Sequence, residues 1–200
     1  MRRRFTIGHE IGRESSRPGT HSPPFYVAPT PVILCEGSTD NVYLIHAIRR
    51  HSATYPKLPT KNADGTIDIG VRIYKYVDKT TGQILGPGGG ASHFGHLMNI
   101  YQAATKKFSA PSQHHPVILV VDNEGGADSI YSAVKKITGS KPMGTEPYIH
   151  VVANMYLVPI PMANSTIEDL FDPSVLAVTL GGKTLAEAVA RVISQRRQSE

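Results

Sequence analysis

Twice in this chain a short, almost wholly apolar run is cut off by an acidic residue, followed by glycine, and then gives way to apolar residues at helical spacing. The first run, Pro31-Val32-Ile33-Leu34-Cys35, ends at Glu36-Gly37, and Val42, Leu44, Ile45 and Ile48 follow it. The second, Pro116 to Val121, ends at Asp122-Asn123-Glu124-Gly125-Gly126, and Ile130, Val134 and Ile137 follow. Runs without polar alternation suit strands buried on both faces, and such strands are joined by crossover helices. The pattern predicts an α/β fold with a mainly parallel central sheet flanked by helices.

The rest of the sequence extends that pattern. Ile69, Val71, Ile73 and Tyr74 mark a second strand within Ile67 to Val77, and Gly86 to Gly90 forms a glycine-rich loop. Phe94, Leu97, Met98, Ile100 and Tyr101 then sit at helical spacing. Ile149 to Pro159 reads as a fourth strand and Leu185 to Ile193 as a final amphipathic helix. Residues 1–30 carry Arg2, Arg3, Arg4, Arg13 and Arg17 with prolines at 18, 23, 24 and 29 and no hydrophobic period, which predicts a basic arm ahead of one domain over 31–200.

Hydrophobic content of 40% and charged content of 18% are ordinary for a folded soluble domain. A net charge of +5 suits a polyanion-binding protein, as it suits many unrelated ones. Every apolar run is interrupted well before the roughly 20 residues of a membrane helix, and no signal-like apolar stretch follows the first arginines, so a cytoplasmic protein without a membrane partner is expected. The single cysteine, Cys35, permits no internal disulfide, fits a reducing compartment, and is flanked as a buried small hydrophobe would be.

Sites in open α/β sheets form beyond the carboxyl ends of the strands, which is where Glu36, Asp122 and Glu124 stand. If the two strands are neighbours the three carboxylates converge, and on extended backbone Asp122 and Glu124 project to one side. Clustered carboxylates need a cation or a proton, and hard oxygen donors suit Mg²⁺, with Mn²⁺ as a substitute. Equally, acids at strand ends serve as solvated turn residues or helix caps, and capping alone accounts for Asp40.

Residue identities carry a resemblance. Val32 to Asp40, Val-Ile-Leu-Cys-Glu-Gly-Ser-Thr-Asp, is similar to the first TOPRIM motif, and Leu119 to Ala127, Leu-Val-Val-Asp-Asn-Glu-Gly-Gly-Ala, is similar to its Asp-x-Asp motif. With Gly88-Gly-Gly90 and Ile167-Glu-Asp-Leu-Phe171, the stretch from Pro31 to about Lys183 resembles the TOPRIM extension of retron-type reverse transcriptases, akin to OLD-family nucleases. The resemblance implies a TOPRIM-like Rossmannoid fold and a Mg²⁺-dependent nuclease of DNA or RNA associated with phage defence, with a retron reverse transcriptase and its RNA–DNA product as partners. It assigns catalysis to Glu36, Asp122, Glu124 and Lys183, and metal binding to Glu36, Asp122 and Glu124 with Asp40 and Glu168 in support. Gly37, Gly88, Gly89 and Gly90 are the expected phosphate-binding glycines. The chain departs from the family where Glu124 replaces the second aspartate, in having no polymerase-like sequence before Pro31, and after Gly182, where the domain is expected to be cut short. A catalytically inactive nucleic-acid-binding or interaction domain, a fragment of a retron polypeptide, is the rival reading.

Other motifs fall short. Gly181-Gly-Lys-Thr184 lacks the leading glycine of a phosphate-binding Walker loop, since Ala177 stands there. Tyr76-Val-Asp-Lys79 lacks the second acid of a polymerase signature. Gly86 to Gly90 reads equally as a phosphate cradle or a plain loop. His93 and His96 have no thiol partners suited to structural zinc, and no nucleophile elbow is present. Arg49, Arg50, Lys106, Lys107, Lys135, Lys136, Arg196 and Arg197 read as ordinary solvated charges.

Overall fold

A computed structural model of the chain describes residues 28–37, 39–74, 91–107, 115–180 and 182–184. In chain order these form β1 (Val32–Cys35), α1 (Asp40–Arg50), β2 (Pro59–Lys61), β3 (Ile67–Ile69), β4 (Arg72–Ile73), α2 (Ala91–Lys107), β5 (Val117–Val121), α3 (Ala127–Thr138), β6 (Ile149–Val152) and β7 (Met155–Pro159). A 3₁₀ turn over Ile167–Leu170, a short α4 (Pro173–Leu176) and a hairpin of β8 (Thr179–Leu180) with β9 (Lys183–Thr184) complete them.

The two apolar runs become neighbouring parallel strands, with Val32 opposite Val117 and Cys35 opposite Val120. They sit at the centre of a five-stranded sheet ordered β4-β1-β5-β7-β6, parallel except for the edge strand β6. The chain is thus α/β, with a mostly parallel sheet flanked by helices.

One face of that sheet carries the core. Val32, Leu34, Val117, Leu119, Val121, Met155 and Leu157 alternate along the strands and are covered by Phe94, Leu97, Met98 and Tyr101 of α2 and Ile130 and Val134 of α3. Each such side chain contributes about 1.5–3 kcal/mol by leaving water. On the other face Ile33, Ile118, Val120, Tyr156 and Val158 are half-buried. Helix α1 has a different character from α2 and α3: its buried residues are Asp40 and Asn41, while Leu44, Ile45 and Ile48 are only half-covered.

Two segments expected as single strands are each divided. Within Ile67 to Val77, Ile67–Ile69 pairs antiparallel with Pro59–Lys61, and among the described residues of this segment, which end at Tyr74, Arg72–Ile73 joins the main sheet beside β1. The break falls at Gly70, whose N–H turns to the Leu58 carbonyl at 2.5 Å. Ile149 to Pro159 is a hairpin, reversed at Ala153, which adopts a left-handed φ of 53°, and Asn154. Asn154 fixes that reversal by accepting from Tyr101 Oη at 2.7 Å and donating to the His115 carbonyl at 2.6 Å. The basic pairs Arg49-Arg50, Lys106-Lys107 and Lys135-Lys136 are exposed in the last turns of α1, α2 and α3, where cations suit the helix dipole. Gly86 to Gly90, Tyr76 to Lys79 and the helix expected at Leu185 to Ile193 lie outside the described residues, as does nearly all of the basic arm. Among the described residues no helix is long and apolar enough to cross a membrane.

Candidate active site

Because β1 and β5 are adjacent and parallel, their carboxyl ends open on the same side, and the residues just beyond them meet there. Glu36 follows β1 directly and is half-buried. Asp40 opens α1 and is only 7% exposed. It is not a cap in the expected sense: Thr39 holds the cap position without a side-chain bond, and Asp40 Oδ2 instead accepts the Gly37 N–H at 2.7 Å. A Cβ on Gly37 would stand 2.7 Å from Asp40 Oδ1, so glycine is what lets this carboxylate lie over the turn. Here the Gly37 amide is committed to Asp40.

At the second strand end, Asp122 follows Val121 and accepts the Ile167 N–H on Oδ1 at 3.0 Å. The residue between the acids makes that contact possible. Asn123 receives Tyr131 Oη at 2.8 Å and donates to the carbonyls of Gly144 at 2.8 Å and Ile160 at 3.1 Å. Its N–H bonds the Ser165 carbonyl at 2.8 Å. Gly144, at φ 81°, has no Cβ to obstruct the Asn123 side chain. Asn123 therefore ties the 160–167 segment to the end of β5, and Glu168 in the 3₁₀ turn is delivered to the site with it. Nothing in the sequence distinguished Asn123 from a spacer.

The electrostatics record the result. Burial, above all, pushes the Asp122 carboxyl up to about 6; neighbouring Asp40 adds to the rise, the Ile167 amide opposes it, and Glu36 and Glu168 add further. Asp40 is raised chiefly by burial and also by Glu168, against the lowering effect of the Gly37 amide. The Cys35 thiol is pushed up to about 12 by burial, with Asp40 and Asp122 contributing, so it carries no thiolate at neutral pH and is no nucleophile. Glu36, Asp40, Asp122 and Glu168 thus share one neighbourhood.

Glu124 stands apart. The strand has ended at Val121, and the Glu124 carbonyl already accepts the Ala127 N–H in the turn into α3, so the two-residue alternation that would pair it with Asp122 is broken. Its exposed side chain lines a groove of about 550 Å³ with Asp128, Tyr131 and Lys141. Lys183 lies in the terminal hairpin, paired with Leu180 through the strand register. Gly88, Gly89 and Gly90 lie outside the described residues.

The donor set is of the kind a hard divalent cation takes: carboxylate oxygens under mutual repulsion, which a cation relieves. Among the described residues no group of three or more His, Cys, Asp and Glu side chains stands close enough to hold a metal ion as placed. Two of the acids have an oxygen engaged by a backbone amide, Asp40 by Gly37 and Asp122 by Ile167. No protein-family model matches the chain, and no solved structure matches it.

Proposed function

We propose that the chain is a divalent-metal-dependent, TOPRIM-type domain that cleaves phosphodiester bonds of DNA or RNA. The observation that carries this reading is the Asp122 carboxyl, pushed up to about 6 beside Asp40, Glu36 and Glu168 at the ends of two adjacent parallel strands. Perturbed acids converging at strand ends are a signature of functional sites. Asp122 and Asp40, with Glu36 and Glu168, are the residues that would hold Mg²⁺ or Mn²⁺. A bound ion there would supply charge neutralisation and Lewis acidity to a phosphodiester. The Ile167 and Gly37 amides orient the two aspartates, and Glu36 would either join them on the ion or take a proton from an attacking water. The motif resemblance adds a retron reverse transcriptase and its RNA–DNA product as partners and a cytoplasmic role in antiviral defence.

One observation favours a second reading, an inactive nucleic-acid-binding or interaction domain: Glu124, the second acid of the Asp-x-Asp-like motif, lines a neighbouring groove and is not among the acids that act on Asp122. Incubation of the chain with single- and double-stranded DNA and RNA in Mg²⁺, Mn²⁺ or EDTA, beside Asp122→Asn, separates the two. Cleavage that needs metal and Asp122 supports the nuclease; binding by a folded chain without cleavage in either metal supports the inactive domain.

A further inference from the structure

Tyr43 lies one turn into α1 from Asp40, and its hydroxyl is buried without a well-formed hydrogen bond, with the Glu168 carboxylate as the acceptor within its reach. A buried hydroxyl left without a well-formed bond costs free energy, so its persistence calls for a reason. Its surroundings supply one. The charged groups that act on Tyr43 are Glu168 first and Asp40 second, both members of the acid cluster. Its ring packs edge-on against Phe171, with centroids 4.9 Å apart and planes at 77°. Phe171 closes the same 3₁₀ turn that carries Glu168, its N–H bonded to the Glu168 carbonyl at 3.0 Å. Tyr43 therefore meets the Glu168 turn at two levels, ring on Phe171 and hydroxyl toward Glu168. Glu168 is the acid of the cluster that comes from neither the turn after β1 nor the end of β5.

We infer that Tyr43 is a positioning residue, whose hydroxyl donates to the Glu168 carboxylate and aims it at the cation when the site is loaded. This rests on the metal reading above. Without a cation the cluster keeps its carboxylates apart by mutual repulsion, which accounts for a donor beside Glu168 whose bond to it is not well formed. A cation drawing Glu168 inward completes the bond, as outer partners orient metal-bound carboxylates generally. The chemistry asked of Tyr43 is hydrogen-bond donation alone, with no proton lost.

Tyr43→Phe keeps the ring on Phe171 and deletes the hydroxyl, so it tests the inference without emptying the packing. The full chain and the variant are titrated with Mn²⁺ and with Mg²⁺ after EDTA treatment, following the thermal midpoint. In EDTA the variant should melt close to the parent, because the group removed makes no well-formed bond there. The metal concentration that gives half of the stabilisation should rise roughly 10-fold, the lower end of what losing an outer partner costs. A parent that responds to metal beside a variant with the same half-saturation, within about twofold by that scale, overturns the role of Tyr43 and leaves the nuclease reading standing. A parent whose midpoint neither metal moves, and which cleaves nothing, overturns the metal reading and this inference with it.

Discussion

The ends of β1 and β5 look alike as sequence and are built differently. After β1 the chain makes its site from local parts: Glu36, a glycine, and Asp40 folded back over the turn onto the Gly37 amide, within five residues. After β5 a single acid, Asp122, stays in the site; the next residue is a latch and the following acid leaves. The second carboxylate on that side, Glu168, arrives from the distant segment that Asn123 and Asp122 tie down. Two copies of one motif thus solve the problem of gathering like charges by different means. The first folds an acid back onto its own turn, and the second borrows an acid from elsewhere in the chain.

The comparison is tested most strongly by removing one acid at a time. Asp122→Asn keeps the Oδ1 acceptor for Ile167 and deletes only the charge, and it should reduce metal-dependent cleavage by more than the roughly 10–100-fold that an outer partner costs. Glu124→Gln should reduce it by less than about 10-fold on the same scale, because this acid lies outside the cluster. Rates on a labelled oligonucleotide at saturating Mg²⁺ decide it. Equal losses in the two variants would restore Glu124 to the site and erase the asymmetry.

Next in size is the latch. Asn123→Ala strips partners from the carbonyls of Gly144 and Ile160 and from the Tyr131 hydroxyl. At 1–3 kcal/mol for a buried polar group left unpaired, partly relieved by water, the loss of stability should come to about 3 kcal/mol in urea unfolding. A cost below about 1 kcal/mol would mean the 160–167 segment is held by other contacts.

How much of this was legible follows from which interactions are local. The apolar runs, their parallel pairing and the three long helices are written in composition and period, because burial on both faces leaves strands no polar alternation. Glu36 and Asp122 were legible as strand-end acids for the same reason. The hairpin at Ala153 and Asn154 was not, because a residue with left-handed φ held by Asn154 bonds to Tyr101 and His115 depends on partners 53 and 39 residues away. Nor was the departure of Glu124, since alternation predicts direction only while the backbone stays extended, and after the bridge of Asn123 with Ser165 the turn into α3 begins at Glu124. Asn123 and Tyr43 carry no local signal at all: a half-buried amide and a half-buried tyrosine acquire meaning only from what the fold brings to them.

In the β1 turn, Gly37→Ala should cost about 1–3 kcal/mol, the usual range for forcing an extra carbon into a filled space. The Cβ would meet Asp40 Oδ1 at 2.7 Å, a short side chain with little room to retreat, so Asp40 must leave the turn or the turn must open. Calorimetric unfolding measures the cost. A variant as stable as the parent, with Asp40 still on the Gly37 amide, would show that the close approach is not tight. At the β5 end the matching close approach comes from outside the turn, at Gly144, where a Cβ would stand 2.7 Å from Asn123 Oδ1.

The smallest effect concerns charge without metal. Asp122 in the folded chain is pushed up to about 6 from 3.8, so the folded state holds this proton more tightly than the unfolded chain does. Stability contributed by the protonated form is present below about pH 4 and is lost as pH rises through 6. The parent in EDTA should therefore be less stable than Asp122→Asn at pH 7, with the gap closing by about pH 4 as the parent takes up its proton. Because the carboxyl is only half-buried, solvent screening reduces the gap to about 1 kcal/mol. Urea midpoints at both pH values in EDTA and in Mg²⁺ give the answer: metal should cancel the parent's deficit by neutralising the cluster and leave the variant unmoved. An Asp122→Asn chain less stable than the parent at neutral pH would mean that the Ile167 amide outweighs the neighbouring acids, and that the β5 end, like the β1 turn, is a satisfied structural turn with no strain for a cation to relieve.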